Sequence, residues 1–93
     1  GTTPLHFAAY QGHLEICSFI LKIIVDKNPG NNIGLTPLHS AASKGHLEIC
    51  KMICQNIVDK NPKNIFGQTP IDMANILGKL EIVVFLKKVN NLD

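Results

Sequence analysis

Histidine and cysteine side chains recur at a spacing that could hold a metal ion. His13 and Cys17 are four residues apart, and the same spacing joins His46 to Cys50 and Cys50 to Cys54. Residues four apart share one face of a helix, so an imidazole and thiolates placed there could bind zinc. All three cysteines, however, occupy apolar positions of their segments, where a free cysteine behaves as a small hydrophobic residue. We therefore expect no bound metal, no cofactor and no disulfide.

Two further histidines, His6 and His39, could act as general bases. A general base needs a nucleophile or an acid arranged around it, and only a threonine three residues earlier recurs near each histidine. Thr3 and Thr36 are better explained as helix caps. The sequence also has no glycine-rich phosphate loop, no paired carboxylates and no Ser-His-Asp arrangement. These observations predict that the protein is not an enzyme.

The length and composition are those of one small globular domain. The chain has 93 residues, of which 45% are hydrophobic and 17% are charged, and its formal net charge is +2. This charge is small and the lysines are scattered, so we expect no nucleic-acid binding. No stretch approaches the ~20 apolar residues of a transmembrane helix, so we expect no membrane insertion. Three cysteines are an odd number for a secreted domain, which favours an intracellular, cytoplasmic protein, with the nucleus as the alternative.

An internal repeat organises the whole chain. Residues 1–17 return with few changes as residues 34–50, and residues 24–29 return as residues 57–62. A third, shorter copy begins at Gly67. The chain is therefore predicted to be a single domain of three repeats, 1–33, 34–66 and 67–93.

Each repeat is predicted to form two short helices. In the first repeat, Thr3 is an N-cap candidate, Pro4 suits the first helical position, and Gly12 ends the helix. The second helix of a repeat has one apolar face, formed by Leu14, Cys17, Ile20 and Leu21 in the first repeat and by Leu80, Val83, Phe85 and Leu86 in the third. Because two helices of this size cannot bury their own apolar surface, the repeats must stack into an open helical array.

The motif Thr-Pro-Leu-His-x-Ala, found at residues 3–8 and 36–41, resembles the signature of the ankyrin repeat. The resemblance covers the whole chain and implies an all-α ankyrin-repeat solenoid of about three helix-turn-helix repeats joined by β-hairpin-like loops. It also implies a non-catalytic scaffold that binds a protein partner through its hairpin fingers and the concave side of its inner helices. In the family, the histidine of the motif holds neighbouring loops by hydrogen bonds, a role thereby implied for His6 and His39.

The resemblance further implies which residues face the partner. They are residues of the two fingers and the variable pair at the end of each first helix: Asn32, Ile33, Leu35, Ile65, Phe66 and Gln68, with Tyr10, Gln11, Ser43, Lys44, Ile76 and Leu77. Four of the finger residues are large and apolar where the family more often has polar residues. An exposed apolar cluster indicates an interaction site, here centred on Phe66 with Tyr10 as a second aromatic anchor. The alternatives are that adjacent fingers pack on each other or that the chain self-associates.

The ends of the repeats depart from the family pattern. Ile24-Val25 and Ile57-Val58 replace the Gly-Ala that is usual in the family, so we expect the second helices to end differently from those of typical ankyrin repeats. Asp72 and Asn75 make the third repeat resemble a C-terminal capping repeat, whereas the first repeat has no polar cap. We therefore expect a monomeric chain that is the C-terminal part of a longer array. The alternative function is a structural end segment of a larger ankyrin scaffold, whose apolar fingers pack within the same assembly.

Two asparagines occupy a position that intracellular hydroxylases modify in some ankyrin arrays. These are Asn28 and Asn61, but the neighbouring proline and lysine residues differ from the usual ones. We expect their main role to be turn formation.

Overall fold

The computed structural model describes residues 2–92, which form six α-helices and, within this range, no β-strand. The helices are α1 (Pro4–Gln11), α2 (Leu14–Ile23), α3 (Pro37–Lys44), α4 (Leu47–Cys54), α5 (Pro70–Ile76) and α6 (Leu80–Val89). Each repeat contributes two of them, which confirms the predicted all-α fold. Among the described residues, no helix has both the length and the apolar character that a membrane crossing requires.

The first helix of each pair begins with a capping box. Thr36 has an extended backbone, and its Oγ1 accepts a hydrogen bond from the N–H of His39 at 3.3 Å. The Thr36 N–H donates in return to His39 Nδ1 at 3.1 Å. Pro37 follows as the first helical residue, where no backbone donor is needed and a fixed φ favours the helix. The same box recurs at Thr3 and Thr69.

A glycine in the left-handed region ends α1. Gly12 has a φ of 81°, and its N–H donates to the carbonyl of Ala8. A Cβ atom at this position would lie 2.7 Å from Cε1 of His46, whose ring covers the glycine from the next repeat. His46 Nε2 donates to the Tyr10 carbonyl at 3.0 Å. The end of α1 is therefore fixed to the second repeat by packing and by a hydrogen bond.

The helices pack in two layers. Helices α1, α3 and α5 pack side by side as the first layer, and α2, α4 and α6 form the second. The core lies between the layers, where Leu38, Ala41 and Ala42 of α3 and Cys50 and Ile53 of α4 are fully buried. The small alanines allow neighbouring first-layer helices to approach closely. The resulting stack measures 34 × 25 × 22 Å.

The second helices end differently from one another. Helix α2 has ten residues and α4 has eight. Beyond α2, Lys27 Nζ donates to the carbonyls of Leu21 and Ile24, each at 2.7 Å, so a lysine satisfies the free carbonyls of the helix end. Lys60 makes a single such bond after α4, to the carbonyl of Ile57 at 2.8 Å.

Two leucines predicted for the apolar faces of the second helices are exposed, which corrects that part of the prediction. Leu14 and Leu80 each open their helix, and Leu80 retains 67% of its accessible surface. Side chains in a helix lean towards its N-terminus, so the first residue of a helix reaches beyond the packed layer. Leu47, the equivalent residue of the second repeat, is half-buried and lines a groove together with Leu80 of the next helix pair.

Candidate functional site

The loops before α3 and α5 each contain a tight turn, which we call a finger; residues 31–35 form the first finger and residues 64–68 the second. In the second finger, the Asn64 N–H donates to the Gln68 carbonyl at 3.0 Å. Asn64 Oδ1 accepts from the N–H groups of Phe66 and Gln68, at 2.9 and 3.0 Å. Asn31 bonds the first finger in the equivalent way. Each finger is thus a hydrogen-bonded turn of hairpin type, although neither contains a β-strand.

Apolar side chains of the fingers are exposed. Ile65 and Phe66 retain 66% and 69% of their accessible surface, and Ile33 retains 38%. The backbone N–H of Phe66 is held by the Asn64 side chain, so the exposed ring is carried by an ordered turn. Because the backbone of this turn is already ordered, binding through the ring would carry little cost for ordering the backbone.

The two fingers contact each other through their backbones. The Ile65 N–H donates to the Ile33 carbonyl at 2.9 Å. A Cβ atom at Gly34 would lie only 3.0 Å from the Asn64 Cα, so glycine is what allows this close approach. The alternative interpretation, in which adjacent fingers pack on each other, therefore applies to the backbone and leaves the side chains of Ile65 and Phe66 uncovered.

Two buried histidines hold the fingers in place. His39 Nδ1 accepts from the Thr36 N–H, so the proton of the neutral ring is on Nε2, which donates to the Gln68 carbonyl at 2.8 Å. His6 holds the Leu35 carbonyl of the first finger in the same way, at 2.7 Å. Burial lowers the pKa of the His39 imidazole, which keeps that ring neutral near pH 7. The loop-holding role implied for both histidines is confirmed.

The six finger residues predicted to face a partner divide into two groups. Leu35 and Gln68 are half-buried, and their carbonyls accept the histidine bonds, so they serve the connection between repeats. The exposed group consists of Asn32, Ile33, Ile65 and Phe66.

The other six predicted residues lie at the C-terminal ends of the first-layer helices. We call them the helix-end patch: Tyr10, Gln11, Ser43, Lys44, Ile76 and Leu77. The structure brings two of them together, because Lys44 Nζ lies 4.9 Å from the centroid of the Tyr10 ring in a cation–π contact. All members except Ser43 are exposed.

The fingers and the helix-end patch lie at opposite ends of the first layer. A finger precedes α3, whereas Ser43 and Lys44 are the last residues of that helix. Helix α3 has eight residues, which corresponds to a length of about 12 Å. The predicted site residues therefore do not form one pocket. They border a strip of surface, and a partner that contacts both groups must span about 12 Å along the helix.

The cysteines belong to the core, as predicted. Cys17, Cys50 and Cys54 are free and buried. Burial, with a smaller effect of Cys54, raises the pKa of the Cys50 thiol to about 12, and burial raises the pKa of Cys54 to about 11. Thiols with such pKa values are protonated at neutral pH and are poor nucleophiles and metal ligands. Within residues 2–92, no three His, Cys, Asp or Glu side chains are grouped in a way that could hold a metal ion.

Sequence reasoning missed Lys79 beside the helix-end patch. A Cβ atom at Gly45 would lie 3.2 Å from Lys79 Cδ, so this side chain covers the glycine that ends α3. His46 covers Gly12 in the same manner. Lys79 occupies the position of the third repeat that is equivalent to His46 in the second. The 33-residue period therefore indicates that Lys79 lies over Gly45 as His46 lies over Gly12.

An apolar groove at the first-repeat end of the stack was also missed. We call it the end groove; it has a volume of about 590 Å³, and its apolar lining includes Pro4, Phe7, Ile16 and Ile20. Ile16 is 52% exposed, whereas its equivalents in the second and third repeats, Ile49 and Ile82, are each only 2% exposed. Those equivalents are covered because α4 packs on α2 and α6 packs on α4.

The repeat, the paired helices and the bonded fingers agree with the comparison with known families. A family model described as "Ankyrin repeats (3 copies)" matches residues 1–64. No curated protein matches the chain. Since the family model matches more than half of the sequence, this chain belongs to the ankyrin repeat family, whose repeats are in general protein–protein interaction modules and are typically non-enzymatic.

Proposed function

We propose that residues 1–93 form one non-catalytic ankyrin domain that binds a protein partner through its fingers and its first-layer helices. The observation that carries the proposal is the exposure of Ile65 and Phe66 on a turn that hydrogen bonds hold in one conformation. Exposed apolar patches usually mark interaction sites, and aromatic residues contribute strongly to binding energy in interfaces. In this proposal Phe66 enters an apolar pocket of the partner, with Ile33 and Ile65 at its rim.

The helix-end patch provides the second contact of the proposed interface. Tyr10 is exposed and its ring contacts the Lys44 ammonium group, so an aromatic and a cationic group lie together in the patch. The partner then lies across the first layer, with one contact at the fingers and the other about 12 Å away. Two separated contacts favour a partner with an extended or elongated surface over a compact ligand.

Affinity capture tests this proposal when wild type is compared with a finger variant, Ile33→Ser plus Phe66→Ser. The matched control is Val25→Ser plus Val58→Ser, since Val25 and Val58 are 99% and 97% exposed and lie outside the fingers. Wild type and control should capture the same proteins, and the finger variant should lose them. Retention of those proteins by the finger variant would contradict the assignment of the site.

A second candidate function, structural extension of a larger ankyrin array, is favoured by the contrast between the two ends of the stack. At one end, the end groove exposes Pro4 and Ile16 at positions that are buried in the later repeats. At the other end, Asp72 and Asn75 are exposed where the second repeat has the buried His39 and Ala42. The end groove fits a further repeat, whereas the exposed Asp72 and Asn75 fit water at their two positions of the third repeat.

A duplication tests the structural candidate. An extra copy of residues 1–33 placed before residue 1 preserves the junction between repeats. Ile33 of the added copy is followed by Gly1, just as Ile33 of the original chain is followed by Gly34. Burial of about half of the Ile16 side chain contributes roughly 1 kcal/mol, and the rest of the end groove raises the expected gain in unfolding free energy to about 2–3 kcal/mol. Ile16→Ser plus Ile20→Ser in the original repeat should remove most of this gain. An extended chain with no added stability would contradict the candidate.

A further inference from the structure

We propose that the segment of the partner that occupies the helix-end patch is an acidic peptide, with a carboxylate that binds Lys44 and Lys79 and an apolar side chain that packs on Ile76 and Leu77. This inference rests on the proposed function and specifies the chemistry of the partner. It is carried by the placement of charge on the two layers of the molecule.

Lys44 is an exposed cation that contacts an aromatic ring. Its Nζ lies 4.9 Å from the centroid of the Tyr10 ring of the preceding repeat. A cation–π contact orients the ammonium group but leaves its hydrogen-bond donors free for a carboxylate. Within the described residues, the one ion pair joins Lys51 to Glu48 at 3.5 Å on the second layer. Lys44 therefore has no carboxylate partner among these residues.

Lys79 adds a second cation at the same end of the first layer. Its aliphatic chain lies over Gly45, where a Cβ atom would be 3.2 Å from Cδ, 3.4 Å from Cε and 3.7 Å from Nζ. Gly45 follows Lys44 directly, so both lysines lie around the turn that ends α3. Lys79 lies over Gly45 and Lys44 Nζ lies over the Tyr10 ring, so the two lysines place positive charge along this end of the first layer, which favours an anionic group.

Negative charge is concentrated elsewhere on the molecule. Five of the seven acidic residues lie on the second-layer helices or in the turns after them: Glu15, Glu48, Glu81, Asp26 and Asp59. The glutamates lie in the first turns of α2, α4 and α6, where they stabilise the helix N-terminus, and the aspartates accept backbone N–H groups at 3.0 Å. On the first layer, Asp72 accepts the Thr69 N–H at the opposite end of α5 from Leu77.

The apolar part of the surface lies one repeat away from Lys44. Ile76 is 71% exposed and Leu77 is 53% exposed, and they occupy the positions equivalent to Ser43 and Lys44. Adjacent packed helices are about 8–10 Å apart. This separation corresponds to about three residues of an extended chain at ~3.3 Å each. The peptide that fits therefore has a carboxylate and a large apolar side chain about three residues apart when it is extended.

Nucleic acid is the other anionic partner that lysines could attract. Phosphate-driven binding usually needs a larger excess of positive charge and several aromatic rings for base stacking. This chain has a formal net charge of +2, one tyrosine and no tryptophan. Exposed Ile76 and Leu77 beside the lysines fit a peptide side chain, so the observations favour the peptide.

The experiment uses random short peptides displayed on phage as the probe. Peptides selected on the wild-type chain should be enriched in Asp or Glu together with a large apolar residue. An enriched peptide should bind about tenfold more weakly to Lys44→Glu plus Lys79→Glu. It should bind Lys22→Glu plus Lys88→Glu, which makes the same charge change on exposed second-layer residues, within about twofold of wild type. Lys44→Met plus Lys79→Met removes the charge and keeps an apolar chain over Gly45; circular dichroism checks that every variant is folded.

The outcomes separate this inference from the proposed function. Enriched peptides without an acidic excess, or without sensitivity to the Lys44 and Lys79 changes, would overturn the acidic class. If such peptides still lose binding to Ile33→Ser plus Phe66→Ser, the proposed function stands. Selection of no peptide would overturn this inference, whereas the proposed function is decided by the capture experiment with the finger variant. A thymidine oligonucleotide that binds as tightly as the best peptide would overturn the inference in favour of nucleic acid.

Discussion

The buried imidazole of His39 is expected to stabilise the array more than any exposed histidine. The ring is fully buried, accepts the Thr36 N–H at 3.1 Å and donates to the Gln68 carbonyl at 2.8 Å. His39→Leu removes both bonds at once. The Gln68 carbonyl keeps its bond from the Asn64 N–H, so the main loss is the buried Thr36 N–H, which is left without an acceptor.

The magnitude follows from these two bonds. An unsatisfied buried donor costs about 1–3 kcal/mol, and the loss of a satisfied hydrogen bond costs about 0.5–1.5 kcal/mol. We therefore expect His39→Leu to lower the free energy of unfolding by about 2–4 kcal/mol, which corresponds to a Tm lower by roughly 10–25 °C for a domain of this size. His39→Asn should lose less, because its side-chain oxygen can still accept the Thr36 N–H, as Asp72 does for Thr69 in the third repeat.

Urea denaturation followed by circular dichroism at pH 7.5 measures the effect. His13→Leu is the matched control, because His13 is exposed and makes no side-chain cap bond. This control should change the free energy of unfolding by less than about 0.5 kcal/mol. Equal losses for His39→Leu and His13→Leu would refute the reasoning, and so would a His39→Asn variant that is less stable than His39→Leu.

Three further predictions concern pH, thiol chemistry and a helix end. Burial lowers the folded-state pKa of His39 below the unfolded value of about 6.5, so its contribution to stability is complete above that pH. The contribution is lost as the pH falls towards the folded pKa, at up to about 1.4 kcal/mol per pH unit. His39→Gln should reduce this pH dependence in urea titrations, and an unchanged slope would contradict His39 as its cause. With a pKa of about 12, Cys50 should react with a disulfide reagent at pH 8 roughly a thousandfold more slowly than a free thiol until urea is added; a rate within tenfold of a free thiol would argue against its burial. Gly12→Ala should cost about 1 kcal/mol more than Gly67→Ala, because both glycines have positive φ but only the first lies against a histidine ring; equal thermal shifts would count against that contact.

The sequence predicted the fold well because each repeat contains its own local signals. A Thr-Pro pair such as Thr36-Pro37 starts the first helix of each repeat. The apolar spacing that assigned Cys50 to the core depends only on helical periodicity. The prediction failed where burial depends on the next repeat. Leu47 and Leu80 both open a helix with Leu-Glu-Ile, yet Leu47 is half-buried and Leu80, with no further helix pair beside it within residues 2–92, retains 67% of its accessible surface.

The candidate site was predictable only in part. Exposure of Phe66 could be expected because a turn residue has few neighbours, but the bond from the Ile65 N–H to the Ile33 carbonyl depends on the distance between fingers, which no local pattern encodes. The contact of Lys44 with the Tyr10 ring could not be predicted from a local pattern either, because it joins long side chains of two repeats. The sequence repeat assigns these residues to equivalent positions, whereas the contacts between them depend on how the repeats pack in three dimensions.

The dissociation constant of a captured partner, measured for wild type, Phe66→Ser and Val58→Ser, tests the central claim most directly. If Phe66 is the anchor of the interface, its loss should cost about 2 kcal/mol or more, so Phe66→Ser should bind roughly thirtyfold more weakly. Val58→Ser removes an even more exposed apolar side chain outside the fingers, and it should bind within about twofold of wild type. Equal dissociation constants for wild type and Phe66→Ser would contradict the claim that the fingers form the partner-binding surface.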